Sequence, residues 1–290
     1  MITVIGSINM DLASSLDRFP VQGETVFGKS FAMVPGGKGA NQAVSCAKLG
    51  KKVNFVGCVG SDTFGEELIS NLSGYGITTQ TIEIVSNVTG IANILLHEND
   101  NRIVVVPGAN SDVTTSHIDA HWDTISKSEL VMMQLEIPKD TIAYALKRCN
   151  EARIPVMLNP APAEHFSIEW VEKVQYLTPN ESECQQIFNA PYVEIVKKYP
   201  NKLIVTLGSK GACYHDGKNL ITVNSYPSHV VDTTGAGDTF NGALAYAITN
   251  GMELSDAVRF ANIAASLSVE KFGAQGGMPT LEAVMERIIL

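Results

Sequence analysis

The stretch 230–242, VVDTTGAGDTFNG, joins an acid, three residues with almost no side chain and the start of an apolar-periodic segment, 240–248. Gly235, Ala236 and Gly237 let another molecule approach the main chain closely. Their N–H groups fall where the first turn of a helix lacks internal partners and where the helix dipole favours negative charge, so the turn suits an anion. Asp238 is a carboxylate in that turn and repels an anion. Beside a phosphate it makes sense if its task is to take a proton from an attacking hydroxyl. A plain N-cap Asp after a glycine turn is the other reading of the same residues.

Further polar residues stand at the ends of apolar runs. Asn9 and Asp11, in GSINMDL, follow a strand-like run at 2–5. They are either turn residues or ligands at a strand's carboxyl edge, where open α/β sheets bind small molecules. An Asp suits a diol because it accepts from two hydroxyls at once. Gly36, Gly37 and Gly39 surround Lys38 ahead of a helical pattern (Ala40, Ala43, Val44, Ala47) closed by Gly50. The spacing is not that of a Walker A loop, since no Ser or Thr follows Lys38. Glu136 ends the apolar run 128–135. Asn180 and Glu183 lie three apart at a helix start, where a capping box and a pair of convergent ligands fit equally well. His117 and His121 share a helical face, but no third ligand is evident nearby and no metal site is expected there.

These residues need a scaffold. Strand-like runs at 2–5, 53–59, 128–135, 154–158, 174–177 and 202–207 alternate with helix-like segments at 62–72, 138–152, near Trp170 and at 254–272. Such alternation predicts a mostly parallel sheet with right-handed crossovers. Two β-rich inserts interrupt it, at about 11–34 and about 90–107. In the second, IANILLHE and NRIVVVP flank Asn99 and Asp100 as in a hairpin.

A chain of 290 residues with 45% hydrophobic and 18% charged residues is ordinary for a soluble α/β enzyme, read here as one domain over 1–290. A net charge of −9 argues against nucleic acid as a partner. Five scattered cysteines without a CxxC suit a reducing compartment. No basic leader precedes ITVIG, and no run approaches the roughly 18 apolar residues of a membrane span. A cytoplasmic protein is expected. A dehydrogenase needs GxGxxG after the first strand, and it is absent.

The extended run DTTGAGDTF resembles the C-terminal signature of the ribokinase-like (phosphofructokinase-B) sugar kinases, and PGGKGAN resembles their N-terminal signature. The resemblance covers Ile2 to about Pro279. It implies a three-layer α/β/α fold with a mostly parallel central sheet and a small β-sheet lid made from the two inserts. By resemblance Asp238 is the base and Gly235, Ala236 and Gly237 form the anion hole, with the 236–238 N–H groups meeting the phosphoryl charge. Asn9, Asp11, Gly37, Lys38, Asn41 and Glu136 become sugar ligands. In TPNESE, Asn180 and Glu183 match the family's NxxE, which organises magnesium and phosphate, with Glu183 supporting Mg²⁺ through water. The loop TLGSKG places Thr206, Gly208, Ser209 and Gly211 at the ATP phosphates and ribose, and Asn262 near the adenine. The segment 187–203 is shorter than in many members and is expected to omit part of a helix.

GSINMDL, GGKGANQAV, QLEIP, LNPAPA and VDTTGAGDTFNGAL place the chain among members that phosphorylate ribose rather than adenosine or fructose. The implied reaction joins ATP and D-ribose. Kinases for deoxyribose or another pentose or hexose, and a sugar- or nucleotide-binding regulator without turnover, are the alternatives. A homodimer through the lid is expected. The resemblance also implies activation by K⁺, with Asp232 as carboxylate ligand and Thr234, Ser268, Lys271 and Gly273 supplying mainly carbonyls. The departure is Gly277, where better-known members carry a serine hydroxyl, so weaker ion affinity is expected.

Overall fold

In the computed structural model, residues 1–98 and 100–289 are described. The chain opens with β1 (Ile2–Ile5), β2 (Asn9–Leu16), β3 (Gly28–Gly36), α1 (Lys38–Lys48), β4 (Val53–Gly60), α2 (Thr63–Gly74), β5 (Ile82–Val85), β6 (Gly90–His97) and β7 (Asp100–Val106). There follow α3 (Thr115–Ala120), α4 (Trp122–Ile125), β8 (Leu130–Met133), α5 (Lys139–Glu151), β9 (Val156–Leu158), β10 (Tyr176–Leu177), α6 (Glu181–Phe188) and α7 (Tyr192–Lys198). The last third holds β11 (Val205–Thr206), β12 (Ala212–His215), β13 (Leu220–Val223), α8 (Ala236–Thr249), α9 (Leu254–Ser268), α10 (Ala274–Gly277) and α11 (Leu281–Ile289).

Six strands pair in the order β10-β9-β8-β1-β4-β5, all parallel. Parallel bridges Leu177–Leu203 and Asn180–Thr206 carry this sheet on to the antiparallel set β11-β12-β13. β1 and β4 are buried at every residue, as strands covered on both faces must be. Side chains alternate between two cores. Ile2 and Val4 pack with Val44 of α1, Phe240 of α8 and Phe260 of α9. Ile5 packs with Val131, Leu146 of α5 and Trp170 on the other face. The result is the expected three-layer α/β/α arrangement.

Both β-rich inserts join a separate four-stranded sheet, ordered β3-β2-β6-β7, in which only β2 and β6 run parallel. Asn9 and Asp11 therefore sit on a strand rather than in a turn, with Asn9 opposite Gly36 and Gly90. Asn99, in the middle of the expected hairpin, lies outside the described residues.

Several boundaries differ from the sequence expectation. The turn of helix at Trp170 is a 3₁₀ segment, Ile168–Lys173. α9 stops at Ser268, four residues before exposed Phe272, and Gly273 with φ 81° then leads the chain into α10. Only Val205–Thr206 of the 202–207 run joins a ladder as β11. The 187–203 segment retains a two-turn helix, α7. Asp62 caps α2 by accepting from Gly65 N–H at 2.9 Å, a contact whose loss costs about 1 kcal/mol in such caps.

Candidate active site

Helices α1 and α8 cross closely enough that a side chain at Gly242 would collide with Ser45. The Ser45 hydroxyl donates to the Thr239 carbonyl at 3.1 Å and the Cys46 thiol to the Gly242 carbonyl at 3.3 Å. One turn back along both helices, the same crossing lays Asn41 and Gln42 against Asp238. Asn41 Nδ2 donates to Asp238 Oδ2 and Gln42 Nε2 to Oδ1, each at 3.0 Å. Asp238 is only 9% exposed. It is not the helix cap: that position belongs to Gly235, whose φ of 76° and contact with Ala274 leave no room for a side chain. The Ala236 N–H turns back to the Thr233 carbonyl at 3.2 Å. Those of Gly235, Gly237 and Asp238 have no protein acceptor among the described residues, which leaves them for an anion.

Around Lys38 stand four carboxylates: Asp238, Glu136, Glu183 and Asp11. Burial works against the Lys38 charge, but these acids together hold its ammonium above the ordinary range. Burial drives the Asp238 carboxyl upward. Lys38 and the Gln42 and Asn41 hydrogen bonds pull it back, and Glu136 adds to the rise. Asp11 is raised to about 7, by burial first and then by Glu136 and Asp238. Glu136 accepts from the Ser7 hydroxyl at 2.5 Å and from Lys38 N–H at 3.1 Å, which docks the start of α1 onto the end of β8. Asn9 Oδ1 is taken by Asn110 Nδ2 at 2.7 Å.

Asn180 and Glu183 form the full capping box of α6, each side chain accepting from the other's backbone N–H at 2.8 Å. The bridge between Asn180 and Thr206 sets this motif beside the loop Thr206, Gly208, Ser209 and Gly211. Burial raises the Glu183 carboxyl above its ordinary value despite the Asn180 N–H. Asn262 donates to the Val223 and Asn224 carbonyls at 2.8 and 3.3 Å, so it fastens the end of β13.

Asp232 accepts from Thr234 N–H (2.9 Å), Thr234 Oγ1 (2.7 Å) and Gly273 N–H (2.9 Å). Burial favours its neutral form, yet these bonds outweigh burial and hold its carboxyl below the ordinary range. A side chain at Gly277 would run into the Ser268 carbonyl and approach that of Lys271. A carboxylate such as that of Asp232 is a donor of the kind that suits a hard cation. Among the described residues, no group of three or more His, Cys, Asp or Glu side chains is placed to hold a metal ion. His117 and His121 both reach Glu83, at 2.8 and 3.2 Å. His117 Nδ1 accepts from Thr114 N–H, so its proton is on Nε2 and that nitrogen is no metal ligand.

The sequence reading missed Gln42, Gln134, Asn110 and Ser7. Gln42 and Gln134 lie inside quoted motifs, and the only signal was an amide in an otherwise apolar helical or strand pattern.

An acid fixed under a helix start with open N–H groups, beside a parallel sheet with a small covering sheet, defines a phosphoryl-transfer enzyme acting on a hydroxyl. A sequence model described as the pfkB family carbohydrate kinase matches residues 1–281. The chain belongs to the pfkB family and is a sugar kinase, a phosphotransferase with an alcohol acceptor. It is 49% identical to a ribokinase of Lactococcus lactis, over 99% of this chain and 96% of that protein. Among solved structures, a ribokinase from Thermotoga maritima matches with a TM-score of 0.93 at 37% identity, covering 100% of this chain and 99% of the other. A ribokinase of Arabidopsis thaliana complexed with ribose and ATP matches with a TM-score of 0.88 at 31% identity, covering 100% and 98%.

Proposed function

We propose that the chain transfers the γ-phosphoryl group of ATP to the 5-hydroxyl of D-ribose, giving ribose 5-phosphate and ADP. One observation carries the reading: Asp238 is buried, held by two amide donors, and set in a helix start whose Gly235, Gly237 and Asp238 N–H groups have no protein acceptor among the described residues. A carboxylate pushed up by burial is a better base for a hydroxyl, and its fixed position replaces the freedom a solution base would lose. The open N–H groups of Gly235, Gly237 and Asp238 meet the charge that grows on the transferring phosphoryl. Asp11 accepts two sugar hydroxyls, while Asn9, Gly37, Lys38, Asn41 and Glu136 complete the acceptor side. Asn180, Thr206, Gly208, Ser209, Gly211 and Asn262 form the nucleotide side. Magnesium, held through water near Glu183, supplies charge neutralisation on the phosphates when bound. K⁺ beside Asp232, with carbonyls of Thr234, Ser268, Lys271 and Gly273, orders the loop ahead of α8.

The chain acts as one unit over 1–290 in the cytoplasm. The relatives named for ribose and the family match support this reading. ADP release assayed across ribose, 2-deoxyribose, hexoses and nucleosides tests it. Ribose should give the highest kcat/KM, and a hexose or nucleoside in first place would replace it.

A homodimer through the four-stranded sheet belongs to the same reading. Its edge strands β3 and β7 expose Phe31 (61%) and Val104 (63%), an apolar rim that invites pairing with a second copy. Light scattering at micromolar concentration should give twice the 31.2 kDa chain mass, and a monomer would count against it.

A further inference from the structure

Of the two amides that grip Asp238, Asn41 also belongs to the proposed sugar site. Gln42 does not. It is 1% exposed, and every polar atom of its side chain is committed inside the protein. Its Nε2 donates to Asp238 Oδ1 at 3.0 Å and to Asn159 Oδ1 at 3.2 Å. Its Oε1 accepts from Gln134 Nε2 at 2.7 Å. Asn159 is fixed in turn through its donation to the Thr178 carbonyl at 2.9 Å.

Gln134 is fully buried just beyond β8, and its Oε1 has no hydrogen-bond partner among the described residues. That oxygen lies where a side chain on Gly6 would begin. An amide can be turned over with almost no change of shape. If Gln134 turned over, its oxygen would face the Gln42 oxygen. If Gln42 turned over as well, its oxygen would face both the Asp238 carboxylate and the Asn159 oxygen. The direction of the chain, Gln134 to Gln42 to Asp238, is therefore dictated from the acid end, and the unpaired carbonyl at the far end is its cost. Packing alone does not account for this arrangement, because an apolar side chain of similar size at 134 fills the space and removes the unpaired oxygen there, leaving instead Gln42 Oε1 without its donor.

We propose that Gln42 and Gln134 are positioning residues for phosphoryl transfer: Gln134 fixes the amide of Gln42, and Gln42 fixes the plane of the Asp238 carboxylate against the acceptor hydroxyl. The proposal rests on the reading of Asp238 as the proton acceptor. Neither glutamine touches substrate. Their effect falls on kcat, where small misplacements of a reacting group are costly.

Four variants test it: Gln134→Leu, Gln134→Met, Gln42→Met and the double variant Gln42→Met/Gln134→Leu. Each is assayed for kcat, for KM of ATP and for thermal midpoint. Both Gln134 variants should lose about tenfold in kcat with KM for ATP within about twofold and a midpoint close to that of the unaltered chain, since one unpaired buried oxygen is exchanged for another. Gln42→Met should lose about 30-fold or more. The double variant should match Gln42→Met alone, because the two act in series. Both Gln134 variants keeping more than half of kcat, effects that multiply in the double variant, or kcat losses that track a falling midpoint would each overturn the proposal. Asp238→Asn, run alongside, separates the two failures. If it abolishes turnover while the glutamine variants do not lose it, only the relay fails. If it keeps turnover, the base assignment itself fails.

Discussion

The two acids that face each other across the site are held in opposite ways. Asp238 rises from the packed three-layer body, 9% exposed, with a donor on each oxygen. Asp11 comes from the small sheet, half-buried, with no protein hydrogen bond to its carboxylate among the described residues and three neighbouring charges acting on it. One acid has its partners within the protein, and the other has none on its carboxylate among the described residues. On the proposed function, the body is preorganised for the reaction, whereas the small sheet offers an acid that a diol would complete. In such a design most of the rate comes from the first acid and most of the sugar affinity from the second.

The sharpest test of that division is Asp238→Asn. Asn keeps the size and loses the proton acceptor, so kcat should fall by about 10²–10⁴ while sugar and ATP affinities stay within a few-fold. A variant retaining half its turnover would end the assignment. Asp11→Asn should do the reverse, raising KM for the sugar by about 10–100-fold with a smaller loss in kcat. Titration calorimetry checks whether the change lies in binding.

With Asp11 as the proposed sugar ligand, sugar binding should be pH-dependent. Its carboxyl is raised to about 7, and the ionised form is the one that accepts two hydroxyls. Apparent sugar affinity should therefore be full above pH 7 and weaken about tenfold per unit below it. Binding curves for Asp11→Asn should be flat over that range. An unaltered chain with flat curves would remove Asp11 from the sugar site.

A smaller effect is expected at the loop ahead of α8. Turnover in potassium should exceed turnover in sodium several-fold at matched ionic strength, through kcat more than KM for ATP, and Asp232→Ala should erase the difference. Equal rates in the two salts would exclude the ion as drawn.

The smallest effect concerns stability. The folded state raises the Asp11 carboxyl above its unfolded value of 3.8, so the folded chain binds that proton more tightly. Its contribution favours folding below about pH 4 and is lost as pH rises to about 7. Asp11→Asn should accordingly raise the melting temperature by a few degrees at pH 8 and leave it unchanged at pH 4. Scanning calorimetry at the two pH values decides.

Much of this was legible in the residues. Largely apolar runs such as 2–5 and 53–59 announce buried strands, and both are buried throughout. The glycine turn that starts α8 was legible because glycine and a helix start are local signals. The Asn41, Gln42 and Asp238 triangle was not, since its members meet only through the crossing of α1 and α8, which no nearby pattern encodes. The Asn180 and Glu183 spacing stayed ambiguous because a capping box and a ligand pair require the same separation. The structure contains the capping box. The end of α9 was misplaced because VEKF continues the helical periodicity past the observed end at Ser268.

Asn110 clasps the place where the small sheet meets the body. Its side chain reaches the Ile8 backbone at both polar groups, Asn9 Oδ1 and the Pro107 carbonyl. Asn9 stands opposite Gly36 and Gly90, and Ile91 opposite Val106. All four chain crossings into and out of the small sheet are thus gathered at one knot. For protein engineering this makes the covering sheet a cassette. Its inserts could be lengthened, shortened or exchanged by cutting outside that knot, while the crossing of α1 and α8 around Asp238 stays untouched.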